Sequence, residues 1–235
     1  MINNFNENLK NLGIHYTSKE LELLEKYYDF LVEYNAHTNL TTITEKEDVY
    51  NKHFYDSLMI TQVVDLTKIN NVLDIGSGAG FPGVVLKIFF PNIKLTLLDS
   101  NNKKTKFLTE LIEKLGLKDV SIINDRAENY MKNNLNSYDI CVSRAVAYVD
   151  IISSLSTPFI KLDGKVLLMK GDFSSEELIL KKYMKELNIK QFSEYEYQLN
   201  NQSRKIIIIS KAKEDNQIPN YASLIKKSEK RKKLT

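Results

Sequence analysis

Asp74 stands two residues before Gly76 in "VLDIGSGAGFPGVV", a stretch in which Gly76, Gly78 and Gly80 follow a short apolar run and Pro82 occupies the place of a helix's first turn. Glycines there expose main chain, and in an open α/β sheet the turn after the first strand borders the crevice where ligands bind. Two ligand classes compete for such a turn. "GAGFPG" (Gly78, Gly80, Gly83) satisfies the G-x-G-x-x-G pattern that holds a pyrophosphate, but the first glycine after the strand is Gly76, and the sixth position counted from it is Phe81. A carboxylate repels a pyrophosphate and attracts an ammonium or a sulfonium, so Asp74 favours S-adenosylmethionine, which carries both cations and no phosphate. Asp99, which ends "KLTLLD", can accept bonds from both ribose hydroxyls, as an acid also does in nicotinamide cofactor sites.

Two further strand ends add side chains to the same edge. "NDRAEN" places the main chain of Ala127 and the carboxylate of Glu128 where they can frame an adenine, and "SRAVA" places Arg144 beside the position of methyl transfer. Singly, Glu128 reads as a solvated acid at a helix start and Arg144 as a surface ion-pair partner. At successive strand ends above one cleft, the functional reading is favoured.

For these residues to meet, the chain must form a sheet. From residue 72 onward short apolar runs ("VLDI", "IKLTLLD", "VSIIN", "YDICVS", "KVLLMK") alternate with helical patterns, which predicts an α/β fold with a mostly parallel sheet. "EYEYQL" and "KIIIIS" are separated only by "NNQSR", too short for a crossover, so they predict an antiparallel hairpin with a reversed strand at the sheet's end. Upstream, Thr17 and Glu20 form a capping-box pattern before Leu21, Leu24, Tyr28 and Leu31 at helical spacing. A second box, Thr44 to Glu47, precedes Val49, His53, Phe54, Leu58 and Ile60. The expected organisation is a helical region 1–70, a sheet domain 71–211 and a basic tail 212–235.

Composition bounds the remaining possibilities. With 235 residues, 43% hydrophobic and 27% charged, the chain has the make-up of one ordinary α/β domain. A lone cysteine, Cys141, excludes a disulfide framework and a cysteine metal cluster, and His15, His37 and His53 are too scattered for a metal site. No stretch approaches the ~20 apolar residues of a membrane span, and "MINNFNENLK" is too polar for a signal peptide, so the cytoplasm is expected. The net charge of +3 is concentrated at the end, where residues 219 to 235 hold six Lys/Arg against one Glu. That tail reads either as a phosphate-contacting arm or as a frayed, solvated terminus.

The motifs "NLTTI", "KHFYDSL", "VLDIGSGAGFPG", "LLDSNNKKTKFL", "RAE", "SRAVA" and the "KG" at Lys170 and Gly171 together resemble the bacterial small-subunit rRNA guanine-N7 methyltransferases of the glucose-inhibited division protein B type. The resemblance implies a class I, Rossmann-like S-adenosylmethionine-dependent methyltransferase with an N-terminal helical region. It implies cofactor contacts at Gly76, Phe81, Ala127, Glu128 and Arg144, with Asp99 as the ribose acid. The implied substrate is a guanine in the decoding-centre loop of 16S ribosomal RNA, free or in the small ribosomal subunit. The family usually carries a Tyr-Pro-Arg stretch near its end, whereas here Asn220 follows Pro219, so tail contacts do not carry over.

Guanine N7 has a lone pair and no proton, so methylation there requires alignment and no obligatory base, and no catalytic acid or base is expected. Arg144 and Lys170 are candidate donors to the guanine O6 edge or to a phosphate, and Asn39 and His53 are candidates to line the cleft from the helical region. Cys141 lies in a strand run and reads as core rather than as a nucleophile. The basic tail and Lys103, Lys104 and Lys106 could frame RNA around the cleft. A monomer is expected. The competing classes are a nicotinamide-dependent oxidoreductase and a non-catalytic ribosome-associated module of the same fold.

Overall fold

The structure, a computed structural model, describes residues 2–214 and 217–232. Its strands are β1 (Asn71–Ile75), β2 (Lys94–Asp99), β3 (Val120–Asn124), β4 (Tyr138–Arg144), β5 (Ile160–Lys170), β6 (Ile189–Leu199) and β7 (Gln202–Lys211). They form one seven-stranded sheet in the order β3-β2-β1-β4-β5-β7-β6. Asp74 of β1 lies opposite Leu97 of β2 on one side and Val142 of β4 on the other, all parallel. The chain winds outward from β1 in both directions, so the switch point falls between β1 and β4, where Gly76 and Arg144 emerge. β1 and β4 are apolar and buried along most of their length, as strands covered on both faces must be.

The hairpin forms through Asn200 and Asn201, both at positive φ (49° and 60°), the backbone of a tight primed turn. Its reversed strand, however, is not at the end of the sheet. β7 pairs antiparallel with both β5 and β6, and β6 takes the edge. Burial explains the order. Ile206, Ile207 and Ile209 of β7 are buried from both faces, while the polar alternation of β6 tolerates an edge.

The N-terminal helices α1 (Ile2–Asn11) and α2 (Ser18–Thr38) are followed by α3 (Lys46–Val49), a π-helical turn (Tyr50–Tyr55) and α4 (Asp56–Leu58). The first capping box forms as predicted, with Thr17 accepting from the Lys19 amide and Glu20 from the Thr17 amide at 2.7 Å. The buried face of α2 is rotated from the predicted one: Leu24, Tyr27, Phe30 and Leu31 face the core, and Tyr28 is only half-buried. The second box does not form. Glu45 caps α3 with no side-chain bond, and the helical register widens into the π turn, carrying His53, Phe54, Asp56 and Ser57 all inward.

The later helices are α5 (Gly83–Phe89), α6 (Asn102–Leu115), α7 (Ala127–Tyr130), α8 (Val149–Ser156), α9 (Ser174–Tyr183) and α10 (Tyr221–Lys232). One apolar cluster joins α1, α2, α4, α5 and α6 to one face of the sheet, so the helical region shares the sheet's core. A second joins α7 through α10 to the other face. The described part of the tail is therefore neither frayed nor a free arm: α10 buries Leu224, Ser228 and Arg231 against the body of the protein. Among the described residues, no helix is long and apolar enough to cross a membrane.

Candidate functional site

A cleft of about 550 Å³ opens at the carboxyl ends of β1, β2, β3 and β4. Its wall includes Gly76, Gly78, Phe81, Asp99, Ala127, Glu128, Arg144 and His53, so eight of the residues expected from motif and resemblance are brought to one place.

The glycine loop forms the floor. Gly76 (φ 69°) needs left-handed backbone, and a Cβ there would come within 2.4 Å of Val146 Cγ2. Most of the loop's amides are spent on the protein itself. Gly76 and Ser77 donate to the Leu98 carbonyl (2.8 and 3.3 Å), Gly80 and Phe81 to the Ser77 carbonyl (2.7 and 3.2 Å), and Val84 to the Gly80 carbonyl (2.9 Å). Gly78 donates to Asp99 Oδ2 at 2.9 Å, and Gly83 to Asp74 Oδ2 at 2.8 Å. A pyrophosphate cradle needs such amides free.

Asp74 does not line the cleft. Its carboxylate is fully buried beneath the loop, where it caps α5 and fills the anion position at that helix's start. Its Oδ1 has no hydrogen-bond partner among the described residues, and burial pushes its pKa up to about 7, against the lowering effect of the Gly83 amide. Asp74 thus lies beneath the loop and outside the cleft wall. Gly83 is required by packing, since a Cβ there would meet Asp74 Oδ2 at 2.7 Å.

Asp99 is on the wall. It accepts from the Gly78 amide and, through Oδ1, from the Asn101 amide at 2.8 Å, which uses two of a carboxylate's roughly four acceptor positions and leaves the rest for a ligand. Across the cleft, Ala127 begins α7, and Glu128 pairs with Arg126 (Nε to Oε1, 3.3 Å).

The opposite wall is a chain of side chains from distant parts of the sequence. Tyr197 donates to Asp56 Oδ1 at 2.7 Å, and Arg144 donates through Nη1 to Asp56 Oδ2 (3.2 Å) and to the Lys52 carbonyl (2.9 Å). Arg144 Nη2 lies 3.0 Å from His53 Nδ1. Nδ1 also lies 3.1 Å from the Lys52 carbonyl, and Nε2 lies 3.1 Å from Thr41 Oγ1, so both ring nitrogens have polar neighbours. Burial first and the Arg144 charge second push the His53 pKa down to about 3, which keeps the imidazole neutral. Phe81 stacks with Tyr27 and with His53, ring centroids 5.3 and 4.5 Å away, and Arg144 lies over it at 5.0 Å.

Three expected side chains are used differently. Arg144 is at the mouth, with Nη1 bonded to Asp56 and the Lys52 carbonyl and Nη2 beside His53, so much of its donor capacity is spent on building the wall. Lys170 is off the wall, held by Glu176 (2.8 Å) and the Ala147 carbonyl (2.7 Å). Asn39 is also off it, because it takes the left-handed cap of α2 (φ 52°). The neighbouring Thr41 enters instead, its amide and carbonyl both bonded by the Asn35 side chain.

Spacing did not reveal Thr41, Asp56, Tyr197, Arg204 or Tyr221. Asp56 follows His53 by three residues, a one-face helical spacing that could have marked it. Arg204 and Tyr197 become neighbours only through hairpin register. Arg204 lines the cleft with its Nε buried and unpartnered among the described residues, and its Nη2 reaches only Gln202 at 3.2 Å. Lys104 also lines the cleft, whereas Lys103 and Lys106 are exposed outside it.

A family model described as rRNA small subunit methyltransferase G matches residues 20–208. The chain is 48% identical over 180 residues to the ribosomal RNA small subunit methyltransferase G of Mesoplasma florum, covering 76% of this chain and 75% of that protein. It is 40% identical over 215 residues to the protein of the same name from Bacillus thuringiensis, covering 89% and 90%. Among solved structures, the fold is similar to a ribosomal protein L11 methylase from Lactobacillus delbrueckii subsp. bulgaricus (TM-score 0.53, 15% identity, 68% of this chain and 79% of that one). It is also similar to a precorrin-6y C5,15-methyltransferase from Geobacter metallireducens (TM-score 0.51, 12% identity, 74% and 92%). These two likenesses speak to the fold alone.

Proposed function

This chain belongs to the rRNA small subunit methyltransferase G family, and on that premise we propose that it transfers a methyl group from S-adenosylmethionine to N7 of a guanine in the decoding-centre loop of 16S ribosomal RNA. The observation that carries the cofactor reading is the pairing of a glycine floor most of whose amides are already bonded within the protein with a wall carboxylate, Asp99, that retains acceptor capacity. The same observation weighs against a nicotinamide-dependent oxidoreductase.

The residues fit the group. Asp99 would hold the ribose hydroxyls, Ala127 and Glu128 would border the purine, and Gly76, Gly78 and Phe81 would border the end that carries the sulfonium. When bound, S-adenosylmethionine supplies an electrophilic methyl group. The chain's own task is orientation. Phe81, held by stacking with Tyr27 and His53, gives a fixed apolar surface, and Arg144 ties that surface to Asp56 and, through it, to Tyr197.

His53 is neutral, and both its nitrogens are engaged, so it holds no proton to exchange with a substrate near neutral pH. That suits attack by N7, which has none to give up. Arg204 takes the part first expected of Lys170: its uncommitted N–H groups can donate to the guanine O6 edge or to a phosphate. We infer that the partner is ribosomal RNA in the small subunit, that the enzyme works as a monomer, and that it works in the cytoplasm.

The test is methyl transfer from labelled cofactor to small subunits and to free 16S RNA, followed by mapping of the modified nucleotide. One N7-methylguanine in the decoding loop is expected. Label absent from RNA would leave only the non-catalytic module, and label on another atom or base would overturn the substrate reading.

A further inference from the structure

The family match ends at residue 208, inside β7, and α10 lies beyond it. This helix nevertheless reaches back to the cleft. Tyr221, its first residue, forms part of the wall together with Ala127, Val146 and Leu155. The Arg126 guanidinium lies over the Tyr221 ring, 4.9 Å from its centroid, and Glu128 holds Arg126 in turn. The ring is therefore oriented from the side facing the loop after β3.

The position of α10 is fixed from its other end. Asp150, fully buried at the start of α8, accepts from Ser228 Oγ and from Arg231 Nη1, both at 2.9 Å, and from the Ile151 amide at 3.0 Å. Arg231 Nη2 donates to Glu186 at 3.0 Å, and its guanidinium lies over Tyr183. A buried carboxylate stripped of its cation is strongly unfavourable, so α10 cannot slide or lift without leaving Asp150 uncompensated. Leu224, buried on the same side, adds apolar contact between these two ends.

We propose that Tyr221 is a binding residue for the purine end of the methyl donor, and that the Asp150–Arg231 pair is the positioning element that delivers it. The purine is indicated because Arg126, which lies over the ring, is bound by Glu128, and Glu128 and Ala127 are the residues placed at the base above, so the inference rests on that reading of the cleft. An aromatic ring there adds stacking area to a wall otherwise made of small apolar groups and main chain.

Calorimetry on the full chain tests this with two probes: S-adenosylhomocysteine, and 5′-methylthioadenosine, which keeps the purine and ribose and lacks the amino-acid end. Tyr221→Ala should weaken both by the same factor, about tenfold, and Tyr221→Phe should restore both. Arg231→Met and Asp150→Asn should weaken both probes as well, and combining either with Tyr221→Ala should add little. Folded Tyr221→Ala protein that binds both probes like wild type would overturn the inference, as would a loss confined to S-adenosylhomocysteine, which would put the ring at the amino-acid end. Should Arg231→Met fail to fold, the Tyr221 pair still decides. Wild-type protein that binds neither probe would instead overturn the reading of the cleft, and this inference with it.

Discussion

The two walls of the cleft are built by opposite means. The floor between β1 and α5 is main chain, folded on itself by glycines and stapled by Asp74 and Asp99. The wall across from it is a relay of side chains, Thr41, His53, Arg144, Asp56 and Tyr197, drawn from both ends of the chain. A main-chain wall selects a ligand mostly by what it refuses, since bonded amides offer an anion nothing. A side-chain wall selects by shape, and it keeps that shape only while every member is present.

The largest expected effect lies in the floor. Gly80 has φ 97°, and a Cβ would meet Tyr27 Oη at 2.5 Å and Val84 Cγ2 at 2.8 Å. Gly80→Ala should lower the urea unfolding free energy by about 4 kcal/mol, combining backbone strain with overpacking. A loss under about 1 kcal/mol would mean that the floor is softer than its bonding suggests.

A pH series separates the walls by sign, because each holds one strongly shifted group. Asp74, raised from 3.8 to about 7, keeps in the folded state a proton that the unfolded chain has lost, so its contribution to stability falls as pH rises through that window. His53, lowered from 6.5 to about 3, remains neutral while the unfolded chain protonates, so its contribution is lost as pH falls through its own window. Relative to wild type, Asp74→Asn should therefore gain stability from pH 4 to 7, and His53→Gln should gain it from pH 6.5 down to 3. Each gain should be on the order of 4 kcal/mol across its window, read from denaturation at fixed pH. Matching slopes in the two variants would remove the contrast.

Arg144→Met leaves Asp56 buried with Tyr197 as its remaining side-chain partner and should cost about 3 kcal/mol. The His53 pKa should also rise in part, as seen by proton NMR, since burial remains and only the Arg144 charge is gone. Little coupling in a double-mutant cycle with Asp56→Asn would break the relay into unrelated contacts. The smallest effect is Asp99→Asn, which should weaken S-adenosylhomocysteine binding by ~1–3 kcal/mol through lost charged hydrogen bonds.

The same contrast explains what the sequence made legible. Strand runs, the hairpin and the glycine floor are local patterns, written within a few residues of the structure they form, and each of the seven strands overlaps the run that predicted it, although β5 and β6 begin five residues earlier. Asp74 misled because its charge was legible and its depth was not: burial beneath a loop depends on how α5 packs over β1. Lys170 and Asn39 were drawn off by partners that no spacing announces, Glu176 across a turn and a left-handed helix cap. Strand register brings Arg204 to the cleft and Tyr197 behind it to Asp56, and Tyr221 arrives on a helix anchored on Asp150. The tail's basic residues suggested a phosphate-contacting arm or a solvated terminus, yet Arg231 is buried because Asp150 is buried with it.

The most direct measurement is a crystal structure of the protein with S-adenosylhomocysteine. The ribose hydroxyls should lie on the Asp99 carboxylate, the purine against Ala127 and the sulfur end over Gly76 and Phe81, with Asp74 still covered. A nucleoside seated away from Asp99, or a diphosphate taking the glycine floor in its place, would contradict the assignment.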